Sequence, residues 1–160
     1  MVGGSRGTGV AGGRNWKART DPLYRGDSAG GVALPTPTAD SSIVRHVLYL
    51  DGLGRETPYS STTESHDVAV RFAGSRGAVW ETKVQKAEDR GVQHISRKTM
   101  LDLLKGKGKG DAAWPSAFEV LQARKYIEES NEHLLDFRSH DGSSSEDLEA
   151  VVNKLFQRVR

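Results

Sequence analysis

Residues 58–84 read PYSSTTESHDVAVRFAGSRGAVWETKV, and this stretch decides the fold class. Pro58 is followed by a run rich in β-formers, Tyr59 to Thr63, which predicts the end of a strand. Val68/Phe72 and Ala69/Ala73 then recur at i, i+4, which predicts a short helix closed by Gly74. Beyond it, Ala78, Trp80, Thr82 and Val84 alternate with Val79, Glu81 and Lys83, the two-residue period of a strand. Short strands interleaved with short helices predict an α+β domain. Outward to the N-terminal side, Leu23-Tyr24 predicts a strand running into Arg25-Gly26-Asp27-Ser28. A loop follows with Pro35 and Pro37, and then a helix from the Asp40 cap to about Tyr49, stopped by Gly52 and Gly54. To the C-terminal side, Ser96 caps a helix with Met100, Leu101 and Leu104 inward. KGKGKGDAAWPSA reads as a flexible loop. Phe118 to Leu121 is expected to be a strand, and Leu134 to Phe137 another. HDGSSSED is a linker, and Leu148, Val151, Val152, Leu155 and Phe156 form one stripe of a helix over 146–160.

The chain has 160 residues, 23 Lys+Arg, 21 Asp+Glu, 18 Gly and no Cys. That length suits one domain with a real core. Without cysteine there is no disulfide framework, thiol nucleophile or cysteine-ligated metal. No apolar run approaches the roughly 20 residues of a membrane-spanning helix, and the N-terminus lacks the apolar core of a signal peptide. Residues 1–20 hold Arg6, Arg14, Lys17 and Arg19, no acid, and six of the 18 glycines. Taking those four from the 23 basic residues leaves 19 against 21 acidic ones, so the remainder is slightly acidic. Residues 1–20 therefore read as a flexible basic leader or linker, 21–138 as the functional domain, and 139–160 as a linker plus an amphipathic helix.

Four polar elements stand where a regular element meets a loop: Tyr24-Arg25-Gly26-Asp27, His46, Ser61-Thr62-Thr63, and Glu119 after the long loop. In this order they resemble the ADP-ribosyltransferase toxins, in the branch with an Arg–Ser-Thr-Ser–Glu signature that includes pertussis and cholera toxins. LYRGDS resembles the Tyr-Arg-x-Asp-Ser opening of that branch, and Val44-Arg45-His46-Val47 its histidine helix. PYSSTTES with Val68-Ala69-Val70-Arg71-Phe72-Ala73 is similar to its Ser-Thr-Thr/Ser strand and following helix. Gly77 to Glu81 is similar to the next central strand, and Phe118-Glu119-Val120-Leu121 to the strand with the catalytic glutamate. The resemblance covers about residues 21–138. It implies a mixed β-core of two packed small sheets around an NAD cleft, with peripheral helices.

The chemistry of these residues is compatible with NAD. An arginine can grip phosphate with paired N–H donors, the role implied for Arg25. Gly26 would let the backbone approach the nicotinamide amide, with Asp27 beside it. Cleaving the nicotinamide–ribose bond builds positive charge on the sugar, which a fixed carboxylate stabilises. The resemblance gives that role to Glu119, with Ser61 orienting it, Thr62 and Thr63 bracing the pocket wall, and His46 on the ribose or phosphate side. Trp114 and Ala117 fall in the implied target-recognition segment. NAD is the implied substrate, and no metal is called for.

Family members that modify arginine usually carry Gln or Glu two residues before the catalytic Glu, where this sequence has Ala117. Arginine is therefore doubtful as acceptor. Glu128, Glu129 and Glu132 are competing acids, the first two reading as a surface turn. The expected activity is mono-ADP-ribosyl transfer from NAD to a macromolecule, protein or nucleic acid, by a toxin or effector domain. The alternatives are an NAD glycohydrolase on the same fold, and a non-enzymatic nucleic-acid-binding module. A cognate inhibitor is a candidate partner and no membrane is expected. Export by a specialised apparatus and action in a target-cell cytoplasm complete the expectation.

Overall fold

A computed structural model describes residues 16–48, 56–142 and 147–160. In chain order the elements are β1 (Leu23–Ser28), α1 (Ile43–Leu48), β2 (Tyr59–Thr63), α2 (His66–Ala73), β3 (Gly77–Thr82), α3 (Val84–Asp89), β4 (Gln93–Ile95), α4 (Arg97–Leu103), a 3₁₀ turn at Gly110–Ala112, α5 (Ala117–Ser130), β5 (Glu132–Asp136), α6 (Leu148–Leu155) and β6 (Gln157–Arg158). The domain is α+β, as the mixture of periods predicts.

The strands form one six-stranded antiparallel sheet in the order β4-β5-β2-β1-β3-β6. Two separate packed sheets are not what the strands form. The sheet nevertheless has a weak seam. β1 pairs with β3 along its whole length, from Leu23↔Thr82 to Ser28↔Gly77, and β2 with β5 from Tyr59↔Asp136 to Thr63↔Glu132. Between β1 and β2 the register has the single pair Tyr24↔Thr63. Past Tyr24 the two halves part, and polar side chains rather than a backbone ladder occupy the gap.

Apolar side chains cover both faces. Ile43, Val44 and Val47 of α1, Met100 of α4 and Val120, Ala123 and Ile127 of α5 pack with Leu134. Leu135, one residue on and therefore on the opposite face, packs with Phe137, Val151, Val152 and Leu155. The stripe of the last helix is thus covered by the domain itself. That helix is shorter than its expected span, because Phe156 turns inward and Gln157–Arg158 add a strand to the edge of β3.

Residues 118–121 are helical, not a strand. Ser116 Oγ accepts the Glu119 N–H at 3.2 Å, and Val120, Ala123 and Ile127 bury one face of the fourteen-residue α5. Asn131, left-handed at φ 49°, ends the helix and starts β5 immediately afterwards. Residues 16–20, within the stretch read as leader, form a turn whose Trp16 donates to the Pro22 carbonyl at 2.9 Å and packs 4.5 Å from the His133 ring. Residues 1–15 of that stretch lie outside the described residues, as do Tyr49, Gly52 and Gly54 and all three serines of HDGSSSED. The Lys-Gly loop is held by backbone bonds such as Lys109 N–H to Leu103 O at 3.0 Å, with Gly106, Gly108 and Gly110 at positive φ.

Candidate functional site

The seam between β1 and β2 opens into a cleft of about 200 Å³ lined by Arg25, Gly26, Ser61, Thr63, Tyr126 and Glu132 among others. A second hollow of about 280 Å³ continues from it, sharing Arg25 and Ser61 and adding His46, Thr57, Glu56 and Thr36. Both hollows follow from topology. The parting strands leave the room, and α2 and α5 supply the walls through Phe72, Tyr126 and Ser130.

Arg25 spans the gap that the backbone leaves. Its Nη1 donates to the Ser61 carbonyl at 2.9 Å and its Nε to Asp27 Oδ2 at 2.8 Å. Asp27 also accepts the Ser28 and Ala33 N–H groups, at 2.7 and 2.9 Å. Its carboxylate is therefore committed to orienting Arg25 and holding the following loop. Gly26 has a packing reason to be glycine: a Cβ there would stand 2.1 Å from the Ala69 carbonyl oxygen and 2.5 Å from Ala73 N of α2. That close approach seats α2 against the seam.

Ser61 is the hub. Its hydroxyl donates to Glu132 Oε2 at 2.8 Å and lies 2.7 Å from His46 Nε2, while His46 Nδ1 lies 2.7 Å from Thr57 Oγ1. Thr62 and Thr63 act as braces: Thr62 Oγ1 donates to the His133 carbonyl at 3.1 Å and Thr63 Oγ1 to the Ser130 carbonyl at 2.6 Å. Both bonds tie β2 to the segment that carries Glu132.

Glu132 is the carboxylate of the cleft, buried at 4% exposure. Burial pushes its carboxyl up to about 7, against the Ser61 hydrogen bond and the Arg25 charge, which pull it down. An acid held near neutrality by its surroundings inside a cleft is the kind of group found at functional sites.

The structure brings together Arg25, Gly26, Asp27, His46, Ser61, Thr62 and Thr63, but not Glu119, Trp114 or Ala117. Glu119 sits in the first turn of α5, where Oε1 takes the Trp114 indole N–H at 2.6 Å. Ala117 is the first residue of that helix. None of the three lines either hollow. The physical reason is the Ser116 cap: it starts a helix of fourteen residues where a strand was expected, and the strand that pairs with β2 is 132–136 instead. Two signals pointed there. Ser116-Ala117-Phe118-Glu119 has the S-x-x-E spelling of a capping box ahead of a helical apolar pattern, and Asn131 is a residue type suited to a left-handed stop. With both read, Glu132 becomes the first residue of the strand expected at 134–137.

Outside the cleft, His133 points to the opposite face. Its Nε2 bonds Glu64 Oε2 at 2.6 Å and its Nδ1 faces His94 Nε2 at 2.8 Å. Burial, with His133 beside it, pushes His94 down to about 4. Among the described residues no His/Cys/Asp/Glu group could hold a metal ion, and no helix is long and apolar enough to cross a membrane. Comparison with protein-family models, with curated proteins and with solved structures finds no match to this chain.

Proposed function

We propose that the chain is an NAD-dependent ADP-ribosyltransferase whose catalytic carboxylate is Glu132. The observation that supports this reading best is the buried Glu132 carboxylate, held by Ser61 in a cleft whose edge carries Arg25. In this reading the nicotinamide and its ribose occupy the first hollow, beside Glu132. Arg25 is already aligned by Asp27 and offers its remaining N–H donors to phosphate. The bond from ribose C1′ to the nicotinamide nitrogen breaks, and its electron pair leaves with the ring, which becomes neutral. The sugar carries the positive charge, and the Glu132 carboxylate stabilises it. An acceptor then attacks C1′ and loses a proton.

A second reading, NAD glycohydrolase with water as acceptor, is favoured by the acceptor side. Among the described residues Glu132 is the sole acid lining the first hollow, and two residues before it stands Ser130, which has no carboxylate or amide to hold an incoming guanidinium. Toxin or effector action, and delivery into another cell, rest on the sequence resemblance alone.

The test uses NAD labelled on the adenine side, with and without a cell lysate. Nicotinamide release should occur, should vanish in Glu132→Gln and should survive in Glu119→Gln. Label on protein or RNA marks transfer, and free ADP-ribose marks hydrolysis. Full nicotinamide release by Glu132→Gln refutes the site. Salt-dependent nucleic-acid binding without turnover would favour the non-enzymatic reading.

A further inference from the structure

We propose that Ser61, His46 and Thr57 form a proton wire that ionises Glu132 while the cleft is occupied, with Thr57 as its exit into the second hollow. The proposal rests on the reading above, because it concerns how that carboxylate becomes charged. The wire is three short links in line, Glu132 Oε2 to Ser61 Oγ at 2.8 Å, Ser61 Oγ to His46 Nε2 at 2.7 Å and His46 Nδ1 to Thr57 Oγ1 at 2.7 Å. The direction of each follows from the others. A serine hydroxyl has one proton, and with Glu132 ionised it goes to the carboxylate. Ser61 must therefore accept from His46, which places the imidazole proton on Nε2 and leaves Nδ1 to accept from Thr57. All three donors point at Glu132.

This is the arrangement left behind when a buried acid has released its proton outward. With Glu132 protonated, the imidazole carries its proton on Nδ1. The carboxyl proton passes to Ser61, the Ser61 proton to Nε2, the Nδ1 proton to Thr57, and the Thr57 proton to water in the second hollow. One proton leaves the acid, one enters water, and every intermediate atom keeps its count. A ligand filling the first hollow would cover Glu132, which is 4% exposed already, whereas Thr57 lines the second hollow and is only half-buried. Among the described residues, the charged and titratable groups that line the two hollows around the wire include Arg25 and Tyr24 from β1, with Asp27 bound to Arg25, Tyr59 from β2, Glu56 before it and Tyr126 from α5. Arg25 favours the ionised form of Glu132. Thr57 also accepts the Tyr59 N–H at 3.2 Å, so it is fixed in place by β2.

The experiment follows nicotinamide release from NAD by the full chain at about pH 6 and pH 8.5. Thr57→Val keeps the shape and removes the hydroxyl. It should lower kcat about tenfold at the lower pH with KM unchanged, and approach wild type at the higher pH, where Glu132 is already ionised. Thr57→Ser should restore the low-pH rate. Equal impairment at both pH values, or none at the lower, overturns the wire. Nitrogen-15 NMR of His46 tests it without turnover. With Glu132 ionised at pH 8.5 the proton should sit on Nε2, and a proton on Nδ1 there overturns the wire. A wild-type protein that releases no nicotinamide refutes the transferase and hydrolase readings, and the NMR result still decides the wire.

Discussion

The burial of Glu132 has a thermodynamic consequence that can be measured without any substrate. A carboxyl whose ordinary value is 4.5 is held up to about 7 in the fold. Between those limits the folded chain keeps a proton that the unfolded chain has released. The native state therefore binds more protons, and stability falls as pH rises through that window. From pH 5 to pH 8 the loss is about 2.5 kcal/mol, reckoned at about 1.36 kcal/mol for each tenfold change in proton affinity. For a chain of this size that is about 5–10 °C in Tm. The wild-type curve alone will not show it. His94 is pushed down from 6.5 to about 4, so in the same range the unfolded chain binds the extra proton. That contribution raises stability from pH 5 to pH 8 by about 2 kcal/mol and nearly cancels the first. The comparison to make is Glu132→Gln against wild type, by calorimetry, at a series of pH values. Gln cannot ionise, while the histidine contribution is common to both proteins. The difference in Tm should shift in favour of the variant by about 5–10 °C between pH 5 and pH 8. A difference that stays flat, or moves the other way, would mean that Arg25 and Ser61 fully compensate the burial, and the reasoning about the cleft would fail.

Three further outcomes follow from the geometry. Glu119→Gln should leave nicotinamide release near wild type and cost less than about 1 kcal/mol in denaturant unfolding, because its carboxylate only helps a capped helix and a tryptophan N–H; a hundredfold loss of turnover would restore Glu119 as the acid. Gly26→Ala should destabilise by about 2 kcal/mol or more, read from urea midpoints, since its methyl meets the backbone of α2; a neutral variant would show that α2 is not seated as described. Ser61→Ala removes the hydrogen bond that holds Glu132 down, so the carboxyl should ionise at higher pH, visible by carbon-13 NMR of the labelled glutamate. A downward shift would contradict Ser61 as donor.

Much of this domain is legible from local pattern. The strand at 59–63, the helix ending at Gly74, the strand from 77 and the helix after Ser96 are set by alternation, by i, i+4 spacing and by caps, all of which act within a few residues. Arg25, Ser61 and His46 are legible for a related reason: each lies within a short element that local pattern marks, β1, β2 and α1. The acid is different. Phe118-Glu119-Val120-Leu121 has strand-like composition over four residues. The Ser116 cap outweighs that composition, and the helix then runs to Asn131 because Val120, Ala123 and Ile127 share one buried face.

By itself, then, the sequence determines the α+β class, the absence of thiol chemistry, and the residue types available to the site. Only the tertiary structure decides which glutamate meets Ser61. A carboxylate is chosen by register, since Thr63↔Glu132 and Ser61↔Leu134 place Ser61 and Glu132 diagonally on neighbouring strands. It is tuned by burial, which depends on Tyr126 and Ser130 of α5 closing over the seam between β1 and β2. Register and burial are both long-range, linking residues about seventy positions apart, and no window of local sequence contains them.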